Sequence, residues 1–283
     1  ADIKAFGDKR RTVIEESEKA VIETPVLDEP VTVIFSKNGW VRSRQGNGVD
    51  PASLSFKEGD SLAVLLPCRT VDPVIFLDSA GRAYSVDAAG LPSARGDGAP
   101  ASSLVEVQGG AKIIHCVAGK PGVKVLVASS GGYGFLCSIG DMVSNRRAGR
   151  EFMSVEAGET PLVPFIYDEA AGNHVVALSA GGRLLAFDIA EMRAMSKGRG
   201  VIVMGLEKGE KLLAAAVTRL TSVTVSGIGR GGKEKALEIK GEKLRHHVGH
   251  RARMGRVLPE KLKPTGMSVP PRLQLEPNGR AGS

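Results

Sequence analysis

A short motif in this chain is written twice: "DSAGRAYSVD" at 78–87 returns as "SAGGRLLAFD" at 179–188. Aligning "VTVIFSKNGWVRS" from 31, "PVIFLDSAGRAYSVD" from 73, "VKVLVASSGGYGFLCS" from 123 and "HVVALSAGGRLLAFD" from 174 places one glycine per unit at Gly39, Gly81, Gly132 and Gly182. The steps are 42, 51 and 50 residues. Periods of this size belong to propeller blades and similar radial repeats. Each unit opens with a β-branched run, turns at a Ser/Asp/Asn-Gly pair and continues in a second apolar run, the pattern of a hairpin. A second turn recurs later in each unit: "FKEGDSLAVLL" from 56, "VQGGAKIIHCV" from 107, "VEAGETPLVPF" from 155 and "LEKGEKLLAAAV" from 206. Two hairpins, or about four strands, are therefore expected per unit. A weaker fifth unit follows in "SVTVSGIGRGGKEKALEI" from 222 and "LKPTGMSV" from 262.

One such unit is marginal alone, whereas several packed around an axis share a core and leave few open strand edges. The expected architecture is an all-β, propeller-like disc of five blades, each of about four antiparallel strands, the ring being either closed or broken. The blades are expected at 31–71, 72–122, 123–172, 173–221 and 222–271, with 1–30 as a linker and 272–283 as a disordered tail. Thr12 and Glu15 have the spacing of a capping box within the linker. The lone Trp40 and the lack of a Trp-Asp dipeptide exclude WD40 blades.

The net charge of +7 is concentrated at one end, residues 222–283 carrying 13 basic and 5 acidic groups. A field of that sign favours polyanions, above all nucleic acid. No apolar run reaches the roughly 20 residues of a membrane helix, and the N-terminus lacks signal-peptide character, so a cytoplasmic protein is expected. Cys68, Cys116 and Cys137 lie in or beside apolar runs without C-x-x-C spacing and read as core residues.

Loops rich in glycine and cations separate the two turns of each unit: "RSRQGNG" at 42–48, "SARGDG" at 93–98, "NRRAGR" at 145–150, "SKGRG" at 196–200 and "HRARMGR" at 250–256. Glycine lets backbone N–H groups approach a ligand, and guanidinium groups offer paired donors to phosphate oxygens. Five such loops in equivalent places would form a basic rim. With only 4% aromatic residues, stacking of single-stranded bases is a poor fit and duplex contact a better one. No amphipathic recognition helix is present for sequence-specific reading. A protein-interaction disc that works through its face is the competing reading.

Other motifs carry less. "GIGRGGKE" at 227–234 has P-loop spacing, but Glu234 replaces the Ser or Thr that would face phosphate and magnesium. His246, His247 and His250 lack a carboxylate to complete a metal site. Neither Ser129 nor Ser130 lies in a G-x-S-x-G elbow.

"AFGDKRRTVI" at 5–14, "GWVRS" at 39–43, "LPSARGDG" at 91–98 and "GGYGFLCSIGDMVSNRRAGREFMSV" at 131–155 together resemble the C-terminal portion of the A subunits of bacterial DNA topoisomerase IV, within the type IIA topoisomerases. The resemblance spans about residues 1 to 270 and is densest in the third unit. It implies a β-pinwheel, a propeller variant whose blades exchange strands, that binds and bends duplex DNA for decatenation and relaxation in chromosome segregation. It further implies a catalytic tyrosine upstream of Ala1, so that this stretch has no enzymatic activity or cofactor of its own. ATP and magnesium would belong to the rest of a nucleoid-associated assembly of two A and two B subunits. The gyrase-like alternative, DNA wrapping, is distinguished by a Q-R-R-G-G-K-G box. Here only "GRGGKEK" at 229–235 echoes it, with Glu234 departing.

On this reading the expected phosphate contacts are Lys37, Arg42, Arg44, Arg82, Arg95, Arg146, Arg147, Arg150, Arg183, Lys197, Arg199, Arg230 and Lys233. No metal site and no membrane contact are expected.

Overall fold

A computed structural model describes residues 26–168 and 172–270. The capping box at Thr12 and Glu15 and the tail from 272 lie outside the described residues. The first unit supplies β1 (Pro30–Ser36), β2 (Trp40–Gln45) and β3 (Leu62–Arg69). The second supplies β4 (Pro73–Asp78), β5 (Arg82–Asp87), β6 (Ala99–Pro100) and β7 (Ile113–Ala118). In the third are β8 (Lys124–Ala128), β9 (Tyr133–Ser138), β10 (Arg150–Glu151) and β11 (Phe165–Tyr167), and in the fourth β12 (His174–Ser179), β13 (Arg183–Asp188), β14 (Val201–Ile202) and β15 (Leu212–Thr218). The fifth contributes β16 (Ser222–Ile228), β17 (Glu234–Lys240), β18 (Arg256–Val257) and β19 (Lys263–Ser268).

Five antiparallel sheets result, ordered β3-β1-β2-β6, β10-β5-β4-β7, β11-β8-β9-β14, β15-β12-β13-β18 and β17-β16-β19. The expected first hairpin of every unit is present. The expected second hairpin is not one: the strand after the second turn returns to pair with the first strand of its own unit, as β3 does with β1 and β15 with β12. The fourth strand of each of the first four sheets is instead the two-residue strand of the following unit, β6 on β2 and β10 on β5, then β14 on β9 and β18 on β13. The segment between the second strand and the second turn leaves its own sheet and crosses to the neighbour, which is why it cannot close a local hairpin.

Between blades, the strands alternate their side chains into two different cores. Val74 and Phe76 pack with Val33, Phe35 and Tyr84 of the first interface, whereas Ile75 and Leu77 pack with Val125, Val127 and Phe135 of the second. The same division sends Leu126 and Ala128 toward Val175, Ala177 and Phe187, and Val176 and Leu178 toward Val223 and Val225. Burial on both faces explains why the first strands read as unbroken apolar runs rather than alternating ones.

Four cores join five blades in a row, and among the described residues the ring is not closed. The fifth sheet has three strands because, among the described residues, no exchanged strand reaches β17. The spacing explains this: from the last residue of the second strand to the first of the exchanged one the chain advances 12 residues in the second unit, Asp87 to Ala99, and 12 in the third, Ser138 to Arg150. In the first unit only 16 residues separate Gln45 from the last strand at Leu62, against 25 between Asp87 and Ile113 in the second. At about 3.3–3.6 Å per residue, so short a connector has little reach beyond its own blade.

Candidate nucleic-acid interface

The last strand of a unit meets its counterpart in the next blade at three of the four steps, β3 against β7, β11 against β15 and β15 against β19, so this edge of the sheets is the inner one. The exchanged strands occupy the opposite, outer edge. The segment leading into each of them is pinned at two points along the second strand of the preceding blade and bulges between them. In the first blade Ser43 N–H donates to the Pro92 carbonyl at 2.8 Å, and Val41 then faces Ala99. In the second, Ser144 N–H donates to Ser85 Oγ at 2.9 Å before Ala83 faces Arg150. In the third, Leu136 N–H donates to the Arg193 carbonyl before Gly134 faces Val201. In the fourth, Ala186 N–H donates to the His247 carbonyl before Leu184 faces Arg256.

Four outer loops are defined in this way: 94–98, 145–149, 195–200 and 249–255. Each ends on a glycine with positive φ, Gly98 (87°), Gly149 (63°), Gly200 (84°) and Gly255 (70°). A Cβ on any of them would fall closer than 3.0 Å to the carbonyl of Val41, Ala83, Gly134 or Leu184, respectively. The sequence pattern suggests that loop glycines admit a ligand; these four admit the neighbouring strand. "RSRQGNG" at 42–48 is not the fifth member, since it is the end of β2 and the turn after it.

The expected cations divide by environment. Lys37, Arg44, Arg95, Arg146, Arg147, Lys197, Arg230 and Lys233 are exposed, and Arg82, Arg150, Arg183 and Arg199 are half-buried. Arg42 corrects the expectation: it is only 6% exposed, with one guanidinium nitrogen donating to the Gly96 carbonyl at 2.7 Å and another to that of Ser55 at 2.6 Å. Its guanidinium also lies 5.3 Å from the Phe56 ring centre. Arg42 therefore braces two loops and presents nothing to a phosphate. Arg82 does similar work through Nε, which donates to the Ala148 carbonyl at 2.6 Å. Arg199 stacks 3.9 Å from the Tyr133 ring centre and pairs with Glu156 and Glu159, and Arg183 pairs with Glu207 at 3.2 Å. Their charge is largely answered within the protein.

Three open grooves collect some of the expected cations, but not Lys37, Arg146, Arg147 or Arg150. Arg44 and Arg95 line one of about 740 Å³ beside Ser43, Ser53, Ser55 and Ser93. Arg82 and Lys197 share one of about 560 Å³ with Glu151. Arg230 and Lys233 line one of about 550 Å³ with Lys235 and Lys261. These last two cations sit on the tip of the β16–β17 hairpin, where Gly229 N–H donates to the Lys233 carbonyl at 2.9 Å; the P-loop-like spacing is this turn. Lys37 likewise belongs to a hairpin turn, between β1 and β2, so these positions are not on the outer loops. The outer loop 249–255 adds two cations that the sequence does not single out, Arg251 and Arg253. The Arg-Gly pattern marks their loop, but nothing in it tells an outward arginine from a tethered one.

His247 is buried, Nδ1 lying 3.2 Å from the Leu184 carbonyl, and burial holds its pKa below the usual value. No group of three or more potential metal ligands occurs among the described residues, and no helix among them is long and apolar enough to cross a membrane.

Residues 124–160 and 173–219 match the family described as DNA gyrase C-terminal domain, beta-propeller. The chain is 42% identical over 239 residues to the A subunit of DNA topoisomerase 4 from Neisseria gonorrhoeae, covering 82% of this chain and 31% of that protein. It is 32% identical over 291 residues to the Escherichia coli K12 protein of the same name, covering 100% of this chain and 37% of the relative. The chain thus spans about a third of the length of these relatives. Among solved structures, the E. coli ParC C-terminal domain superposes with a TM-score of 0.73 at 30% identity, covering 85% of this chain and 98% of that one.

Proposed function

This chain belongs to the family of C-terminal domains of bacterial topoisomerase IV A subunits, and from that premise we propose that it binds duplex DNA without sequence preference along its outer edge, catalysing no step itself. The bound segment would be bent and presented for strand passage in decatenation and relaxation. The full protein would work as a pair of A subunits with two B subunits, on the nucleoid in the cytoplasm, the ATP and magnesium chemistry being carried elsewhere in that assembly.

The observation that carries this reading is the regular outer edge. Four loops, held at matching points on four successive blades, each present an exposed cation, and each loop lies beyond the last long strand of its sheet. A backbone-tracking interface needs that arrangement of charge and needs no base-reading element.

Titration of a random-sequence duplex across a KCl series tests it. If 6 to 8 phosphates are neutralised, log affinity falls with log salt at a slope of roughly −5 to −7. A protein-interaction disc would show weak binding with a shallow slope. Gyrase-like wrapping would be recognised by trapped positive writhe in a relaxed plasmid, which the missing Q-R-R-G-G-K-G box argues against.

A further inference from the structure

The outer loops divide their cations into two kinds, and we infer that each of the four loops offers DNA one outward cation, Arg95, Arg146, Lys197 and Arg253, supplying four of the roughly six to eight phosphate contacts expected in all, while a second arginine at each loop holds the loop in place. This inference rests on the DNA-binding reading above and assigns Arg253 a role in it. The bracing group is Arg42 for 94–98 and Arg82 for 145–149, each donating from the preceding blade to a loop carbonyl. For 195–200 it is Arg199, stacked on Tyr133 and paired with Glu156 and Glu159. For 249–255 it is Arg251, which donates to the Ile202 carbonyl at 2.7 Å while its backbone N–H donates to Glu191 at 2.9 Å.

Beside each brace stands an exposed cation whose side chain makes no hydrogen bond or ion pair among the described residues: Arg95, Arg146, Lys197 and Arg253. The first three lie three residues before the terminal glycine of their loops, Gly98, Gly149 and Gly200. The fourth lies two before Gly255, and the residue that would have matched, Ala252, takes a left-handed φ of 66°. That kink shifts the register of the longest loop by one, so that Arg253, rather than its neighbour, is the outward group.

The braces already commit donors to carbonyls or carboxylates, Arg82 through Nε alone, so phosphate contact would compete with holding the loop. The outward cations have only water to lose, and each phosphate they neutralise releases condensed counterions. Sequence gives both kinds the same appearance.

Four single alanine variants of the outward set and their combination, made in the full chain, test the assignment by duplex binding across a KCl series together with urea unfolding. Each outward variant is expected to flatten the salt slope by about 0.9 and to weaken binding roughly ten-fold near 0.1 M salt, with the unfolding midpoint unmoved. Arg253→Lys keeps the slope, because a point charge suffices. Arg251→Ala lowers the unfolding midpoint, and Arg251→Lys does not restore it. Should Arg253→Ala leave the slope at the wild-type value while Arg146→Ala flattens it, the assignment of the fifth unit is wrong although DNA binding stands. If Arg251→Ala flattens the slope with no loss of stability, the division into braces and contacts is overturned. Absence of salt-dependent binding by the wild-type chain removes the underlying DNA reading instead.

Discussion

Ser36 donates its hydroxyl to Asp60 at 2.6 Å, tying the β1–β2 turn to the turn that precedes β3. The third blade repeats the contact with Ser129 and Glu159. In the fourth blade Glu210 accepts from the Gly181 N–H at 3.0 Å. The second blade exchanges the two roles: Asp78 stands at the serine position and Ala111 at the acid position, and Asp78 accepts from the N–H groups of Ala80 and Arg82 and from the Tyr84 hydroxyl, each at 2.9 Å. One carboxylate in each of the first four blades thus satisfies the donors of the tight turn. Asp60→Ala, which orphans the Ser36 hydroxyl and the Asn38 and Ser61 N–H groups, should cost about 2 kcal/mol in urea unfolding; a loss near zero would mean that water replaces the carboxylate.

The same carboxylates set an acid limit. Burial pushes Asp60 and Glu210 up, but hydrogen bonds from Ser36, Asn38 and Ser61 to the first, and from Ser179, Glu207 and Gly181 to the second, outweigh it and hold both below the usual carboxylate value. The folded state therefore binds fewer protons than the unfolded one in the carboxylate range. Their contribution is fully present above the unfolded pKa and disappears as pH falls through the folded pKa. An Asp60→Asn, Glu210→Gln double variant should lose less of its stability than wild type between neutral pH and the carboxylate range. Equal losses would show that other groups govern the acid transition.

Arg42 should behave as a structural residue. Removing it leaves the carbonyls of Gly96 and Ser55 without their donor, so Arg42→Ala is expected to cost about 3 kcal/mol. Lys offers no fork to span two carbonyls, and Arg42→Lys should recover little. Thermal unfolding of the two variants checks this, full recovery by lysine being the adverse result.

Two glycines, one in the turn after β2 and one in an outer loop, separate crowding from backbone conformation. Gly46 has φ of 83° with nothing within 4 Å of a would-be Cβ, whereas Gly149 has φ of 63° and faces the Ala83 carbonyl. Gly46→Ala should cost about 1 kcal/mol from the left-handed conformation alone, and Gly149→Ala clearly more, since a backbone carbonyl has to move. Similar costs at both sites would refute the close approach of loop and strand.

The open edge of the fifth blade should be visible in amide exchange. Residues Leu184 and Arg183 of β13 are covered by β18, while among the described residues β17 pairs only with β16. The amides of β17 that point away from β16 should exchange faster than the covered ones of β13. Protection of equal strength would indicate that something covers β17.

The three thiols should be inert in the native protein. Cys68, Cys116 and Cys137 are free and buried, and burial raises Cys68 to about 11 and Cys137 to about 12, with Cys116 raised further. Disulfide reagents at mildly alkaline pH should label them only after denaturant is added; prompt labelling without it would show that the blades open locally.

Much of the fold could be read along the chain, because it depends on short-range order. The apolar runs Val74–Leu77 and Val175–Leu178 and the glycine turns between paired strands are local, and their period counts the blades directly. The outer loops were legible as a group for the same reason: arginine and glycine recur together before each exchanged strand. Two things were not. The second turn of each unit looks like a hairpin because the sequence between two apolar runs does not say which sheet the intervening segment joins. Arg42, Arg95 and Arg253 carry the same guanidinium, and only neighbours distant in the chain give them different work.

The amino-acid order alone therefore determined an all-β repeat of five units with a basic, glycine-rich segment in each, since strand period and turn chemistry act over a few residues. Tertiary structure decided that the units trade their outermost strands, that the row of blades stays open among the described residues, and which cations face solvent. Those outcomes depend on where carbonyls and carboxylates of other units lie, as with Gly96 and Ser55 around Arg42, and a desolvated guanidinium goes wherever such acceptors are already in place.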